Sequence, residues 1–163
     1  MANVLAKLRQ QVINGRREGT RCPCCTQYAR EYDRTITSSM VWVLSLIHKW
    51  FKQNDPNYDQ KWLHVENHLR EVPNTPASLR GDFPKLKHWG LIEQRPGTRP
   101  DGSNRAGYWR ITKKGIDFLN SNIQVEKYAT IFDGNLIRMS NDKIWVVDCL
   151  NVKFDYSKLM STK

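Results

Sequence analysis

The sequence predicts an α+β fold built around one central helix, and three observations predict it. Residues Met40 to Phe51 are apolar nearly all round, as a helix buried on most faces must be. Two short β-branched and aromatic segments, Leu91–Arg95 and Tyr108–Thr112, flank a loop rich in Gly, Pro and Arg, the pattern of a hairpin with a solvated tip. Near the C-terminus, Tyr128–Phe132 and Asn135–Met139 are joined by Asp133-Gly134, a pair that favours tight primed turns.

Taken in order, Val4, Leu5, Leu8, Val12 and Ile13 recur at helical spacing and predict an amphipathic helix ending near Gly15. After the cysteine cluster, Tyr28 and Tyr32 lie four apart and predict a short helix. Ser38 or Ser39 is placed to cap the central helix, and Asn54-Asp55-Pro56-Asn57 stops it. Trp62–Val65 suits a short strand, and Glu66–Glu71 a helix. Ala77 towards Trp89 is a helical pattern interrupted by Gly81 and Pro84, with Leu79, Phe83, Leu86 and Trp89 as its apolar stripe. Asp82 can cap the restarted helix and Gly90 can end it in the left-handed conformation. Lys113–Leu119 predicts a further helix, and Lys143–Asp148 a third C-terminal strand. These elements divide the chain into an N-terminal helical arm (1–37), a central domain (38–122) and a small β subdomain (123–163).

Composition narrows the function. An apolar fraction of 39% is that of a soluble globular protein, and no apolar run reaches the ~18 residues of a membrane span. A secretory signal is not evident at Met1-Ala2-Asn3-Val4, and the cysteine spacing does not suit a disulfide framework, so a cytoplasmic setting is expected. The formal charge of +10 favours an anionic partner. Of that charge, +6 falls between Arg80 and Lys114, and +4 on residues 1–37.

The order helix, strand, helix, helix, strand, basic loop, strand, helix resembles the winged-helix family of DNA-binding domains. The resemblance rests most on Phe83-Pro84-Lys85-Leu86-Lys87-His88-Trp89-Gly90-Leu91-Ile92-Glu93. It closes on Tyr108-Trp109-Arg110-Ile111-Thr112-Lys113-Lys114-Gly115, which is similar to the wing exit of MarR-type repressors. It implies a winged helix-turn-helix core over residues 38–121, whose third helix enters the major groove and whose wing touches the adjacent backbone or minor groove. Carried onto this sequence, Arg80, Lys85, Lys87 and His88 face double-stranded DNA, with Arg99 and Arg105 at the wing tip and Arg95 and Arg110 at its base. A transcriptional regulator is then expected. Gly81 and Pro84 favour backbone contact over base reading. Winged-helix domains also serve as protein-interaction modules, so an inhibitor of a host nucleic-acid-handling machine stays open, as does a homodimer. The stretch Cys22-Pro23-Cys24-Cys25 through Ser39-Met40 is similar to uncharacterised bacteriophage proteins, which would set the chain in a host cytoplasm.

Cys22 and Cys25 form a Cys-x-x-Cys pair, half the ligand set of a zinc site, with Cys24 as a candidate third ligand. His64 and His68, four apart, are further candidates. The alternative is that these are small buried thiols and ordinary histidines. A thioredoxin-like redox site needs a preceding strand and a βαβ pattern, and neither is evident. Gly-x-Ser-x-Gly, a phosphate-cradling loop and paired carboxylates in an apolar setting are not found, so enzymatic activity is not expected. Of the tryptophans, Trp42, Trp50, Trp89, Trp109 and Trp145 sit in apolar patterns and are expected in the core; Trp62 could go either way.

Overall fold

In the computed structural model, which describes residues 2–75, 77–103 and 107–150, the chain runs through α1 (Ala2–Gly15), β1 (Thr20–Arg21), β2 (Tyr28–Ala29) and β3 (Tyr32–Arg34). Then come α2 (Ser38–Asn54), β4 (Leu63–His64) and α3 (Val65–Glu71). Two 3₁₀ segments, Ala77–Arg80 and Phe83–Trp89, lead into β5 (Ile92–Gln94), β6 (Tyr108–Ile111) and α4 (Lys113–Leu119). β7 (Val125–Glu126), β8 (Ala129–Phe132), β9 (Asn135–Met139), β10 (Lys143–Ile144) and a last 3₁₀ turn, Val146–Cys149, follow. The architecture is α+β, with several small antiparallel sheets.

Two units share these elements. The first takes the chain up to Thr35 together with Lys127–Asp142. It therefore draws on both terminal segments that the sequence reading sets apart. Its sheet has the order β3-β8-β9, with Tyr32 opposite Ile131 and Arg34 opposite Ala129. This corrects the expected helix through Tyr28 and Tyr32: the partner strand is remote in sequence, and its ladder bonds outweigh the local i,i+4 pattern. The Asp133-Gly134 turn behaves as expected, with φ of 49° and 71°. Glu31 is buried beside the sheet, and three arginines surround it: Arg138 at 2.8 Å, Arg16 at 3.3 Å and Arg17 at 3.9 Å. The Arg138 hydrogen bond holds the Glu31 carboxyl below its usual range against partial desolvation, helped by the charges of Arg138, Arg16 and Arg17. The apolar stripe of α1 is only partly covered. Val12 and Ile13 are half-buried, while Val4 and Leu5 are 59% and 62% exposed.

The second unit is Ile36–Glu126 with the chain from Lys143 on. Its core is α2, which buries Met40, Val41, Val43, Leu44, Ile47 and Phe51. The cap is Thr37, whose hydroxyl accepts the Met40 N–H at 3.3 Å, one residue earlier than the expected serine. The second 3₁₀ segment, with buried Phe83, Leu86 and Trp89, and α4, with buried Phe118 and Leu119, pack against α2, and Leu69 of α3 is buried in the same unit. A three-stranded sheet, order β4-β6-β5, pairs Leu63 with Trp109 and Ile92 with Ile111.

Thr112 ties this sheet to α4. Its hydroxyl accepts the Gly115 N–H at 3.0 Å, capping α4, and donates to the Gly90 carbonyl at 2.6 Å. Its own N–H donates to the Leu91 carbonyl at 3.1 Å. Gly115 must be glycine here, because a Cβ would lie 2.2 Å from the Leu91 carbonyl oxygen.

The expected strand Lys143–Asp148 is shorter than predicted. Only Lys143–Ile144 is strand, pairing with Val125–Glu126 rather than with the Asp-Gly hairpin, and Val146–Cys149 turns as 3₁₀ helix. The tryptophans also divide. Trp89 and Trp109 are core, Trp42, Trp50 and Trp62 are half-buried, and Trp145 is 39% exposed. None of the described helices is long and apolar enough to cross a membrane.

Candidate functional site

The expected recognition helix over Ala77–Trp89 is instead two 3₁₀ segments separated by Gly81-Asp82. Pro84 supplies no N–H and Gly81 has no side chain to pack, so an unbroken α-helix is disfavoured there. Asp82 does not cap the second segment through its side chain; its carboxylate pairs with Lys85. Gly90 ends the segment at φ 69°, as the sequence implies.

A 3₁₀ helix has three residues per turn, so side chains three apart stand in one row. The buried row is Phe83, Leu86 and Trp89. Phe83 stacks edge-on against Trp109 at 5.8 Å between ring centres, and the Trp89 indole donates to the Glu126 carbonyl at 2.7 Å. With that row inward, Pro84 and Lys87 share a second row, and Lys85 and His88 a third. Lys87 is exposed; Lys85 and His88 are half-buried. Partial burial, with the charges of Lys87 and Lys85, holds the His88 imidazole below its ordinary range, which favours the neutral ring at neutral pH.

The other basic residues differ sharply in availability. Arg110 is occupied. Its guanidinium bonds Glu93 through Nη2 at 2.5 Å and Nε at 2.7 Å, donates to the Asp59 carbonyl at 3.1 Å and lies over the Trp62 ring at 4.5 Å. Arg95 sits over the Tyr108 ring at 5.8 Å. Arg99 is exposed on the hairpin loop, where its backbone N–H donates to the Ser103 carbonyl at 2.7 Å. Asp101 organises that loop by accepting the Ser103 hydroxyl at 2.6 Å and N–H at 2.9 Å. These bonds, led by the hydroxyl, hold the Asp101 carboxyl below its usual range, so it carries a negative charge close to Arg99. Arg80 is half-buried, and its Nε has no hydrogen-bond partner among the described residues. Arg105 lies outside the described residues.

Lys113 and Lys114, the first residues of α4, belong to the basic stretch and the wing-exit motif but are not among the residues expected to face DNA. Both are exposed, Lys113 beside Asp117 at 3.0 Å and Lys114 near Glu126 at 3.8 Å. The Lys-Lys pair after a strand end was their visible signal.

Cys22, Cys24 and Cys25 form the loop between β1 and β2. The Cys22 N–H donates to the Gln27 carbonyl and the Thr26 N–H to the Cys22 carbonyl, each at 2.8 Å. The backbone N–H of Cys25, then that of Cys24, holds the Cys22 thiol below its ordinary range. Among the described residues, no group of three or more His, Cys, Asp or Glu side chains is arranged to hold a metal ion. The zinc reading of Cys22, Cys24 and Cys25 therefore gains no further ligand from the fold. His64 and His68 do not act as a pair: His64 precedes α3, its Nδ1 accepting the Asn67 N–H at 3.3 Å, while His68 lies within the helix. Cys149 is a separate case, since burial and the neighbouring Asp148 push its thiol up to about 12.

Comparison with protein-family models, with curated proteins and with solved structures gave no match.

Proposed function

We propose that the second unit binds double-stranded DNA as a winged-helix domain, mainly through phosphates, and that the protein acts as a DNA-binding regulator. The observation that carries the reading is the inward row Phe83, Leu86 and Trp89, which leaves Lys87 outward directly before a hairpin that exposes Arg99. Supporting it, the order α2, β4, α3, two 3₁₀ segments, β5, β6, α4, with sheet order β4-β6-β5, is compatible with a winged-helix core. The broken 3₁₀ segments favour backbone contact, because base reading in the major groove suits a continuous helix. Arg110 and Lys85 are committed to Glu93 and Asp82, so they support the surface more than they supply free charge.

The test is a salt series on mixed-sequence duplex. Each phosphate contact contributes about 0.9 to the slope of log affinity against log salt. Removing two contacts with Lys87→Ala and Arg99→Ala should therefore flatten the slope by about 1.8 and weaken all duplexes alike. Absence of duplex binding at low salt, or a slope unchanged by the double variant, overturns the proposal. Exposed Trp145 and Val147 would then favour the protein-interaction reading, since apolar side chains held in solvent suit a protein partner.

A further inference from the structure

The first unit contains a cleft of about 590 Å³ that the DNA reading does not use. That volume lies within the range of small-molecule sites, roughly 300–1,000 Å³. One wall is a single face of α1 and its exit, because Arg9, Val12, Ile13 and Arg16 recur at i, i+3, i+4 and i+7. Tyr28 and Arg30, from β2 and the residue after it, line the cleft, and so do Phe132 and Asp133 from the second hairpin.

Its arginines are not equivalent. Arg16 is paired with Glu31 at 3.3 Å, a carboxylate it shares with Arg138 and Arg17, and donates to the Ile13 carbonyl at 2.8 Å. Arg9 and Arg30 have no ion-pair or hydrogen-bond partner among the described residues. Two uncommitted guanidinium groups bordering a partly apolar concavity favour an anion more strongly than the same groups on an open surface, because nearby low-dielectric walls reduce screening. A guanidinium fork also matches the oxygen geometry of a phosphate. Val12, Ile13 and the rings of Tyr28 and Phe132 offer the cover a planar body needs. Asp133 adds a hydrogen-bond acceptor for an amine or hydroxyl on that body.

We propose that this cleft is a binding site for a small phosphorylated ligand with a planar ring, the chemistry of a mononucleotide. Arg9 and Arg30 hold the phosphate, and the apolar wall covers the ring. The cysteines supply a built-in reporter: Cys22 and Cys25 line the cleft, whereas Cys24, in the same loop, does not.

The experiment uses the full chain. Binding of adenosine 5′-monophosphate, adenosine, inorganic phosphate and a short oligothymidylate is measured by calorimetry. In parallel, each cysteine is followed by mass spectrometry during alkylation with iodoacetamide. The expected result is one nucleotide per chain, slowed alkylation of Cys22 and Cys25, and unchanged alkylation of Cys24. Adenosine and phosphate alone should each bind at least tenfold more weakly. The Arg9→Ala, Arg30→Ala double variant should lose nucleotide binding at least tenfold together with the protection, while circular dichroism and melting stay as in the parent, since both side chains are exposed. No protection by the mononucleotide, protection that survives the double variant, or protection by the oligothymidylate alone each overturns the small-ligand site. None of these results depends on whether the second unit binds duplex.

Discussion

Replacing Gly115 and Gly81 by alanine should move stability in opposite directions. Both changes add one methyl group, so the environment alone decides the sign. At Gly115 the new Cβ would lie 2.2 Å from the Leu91 carbonyl oxygen and 2.9 Å from Ile111 Cγ1, where ordinary contact begins at 3.4 Å. The carbonyl would have to retreat by about an ångström, loosening the bond it accepts from Thr112. Overpacking of this kind costs about 1–3 kcal/mol. The better helix propensity of alanine returns about 0.5–1 kcal/mol in α4. The net loss is about 1–2 kcal/mol. For a chain of this size that lowers the melting temperature by about 2–8 °C. At Gly81 nothing lies within 4 Å and the backbone is not in the left-handed region. Alanine there restricts the unfolded chain and should stabilise by about 0.4–1 kcal/mol. Thermal melts of both variants, with urea titrations to confirm that cooperativity is unchanged, give the comparison. A Gly115→Ala protein as stable as the parent would refute the close approach of α4 to the Leu91 carbonyl.

Thr112→Val should remove the α4 cap and the bond to Gly90, costing about 1 kcal/mol in a urea titration, while Thr112→Ser, which keeps the hydroxyl, should stay close to the parent; a stable Val variant beside a destabilised Ser variant would show that the methyl group, not the hydroxyl, matters. Glu31 sets an acid limit on stability. Its folded-state carboxyl lies below the ordinary value, so its contribution is complete above the ordinary glutamate range near 4.3 and fades as pH falls through the folded value. Glu31→Gln should lower stability at neutral pH and flatten the acid side of the stability curve, and parallel curves for parent and variant would contradict this.

The sequence was most informative where a local pattern and the final packing demand the same thing. The all-round apolar run of α2, the Asp133-Gly134 turn and the glycine at position 90 are of this kind. It misled where the decisive partner is remote. Tyr28 and Tyr32 are spaced for a helix, yet Asp33 accepts the Thr130 hydroxyl at 2.5 Å from a position 97 residues away. Lys143–Ile144 likewise answers to Val125–Glu126 and not to the adjacent hairpin. In the candidate interface, the basic residues were visible as charge but their commitments were not. Nothing local says that Glu93 and Trp62 occupy Arg110 while Lys87 stays exposed. The cleft of the first unit was invisible for the same reason, since its walls come from a helix and two hairpins separated along the chain.

The pairing of β3 with β8 has a consequence for biosynthesis. Ribosomes add about 5–20 residues each second, so the strand Tyr32–Arg34 waits about 5–20 s for its partner to be made. During that interval Ile36–Glu126 emerges, carrying, among the described residues, every buried apolar residue of the second unit except Val146. The middle of the chain can therefore condense while the nascent N-terminal segment still presents an open strand edge and the uncovered Val4 and Leu5. Such edges and apolar surfaces are what holding chaperones engage and what aggregation exploits. The segment synthesised first therefore waits for a partner made only after most of the second unit has left the ribosome.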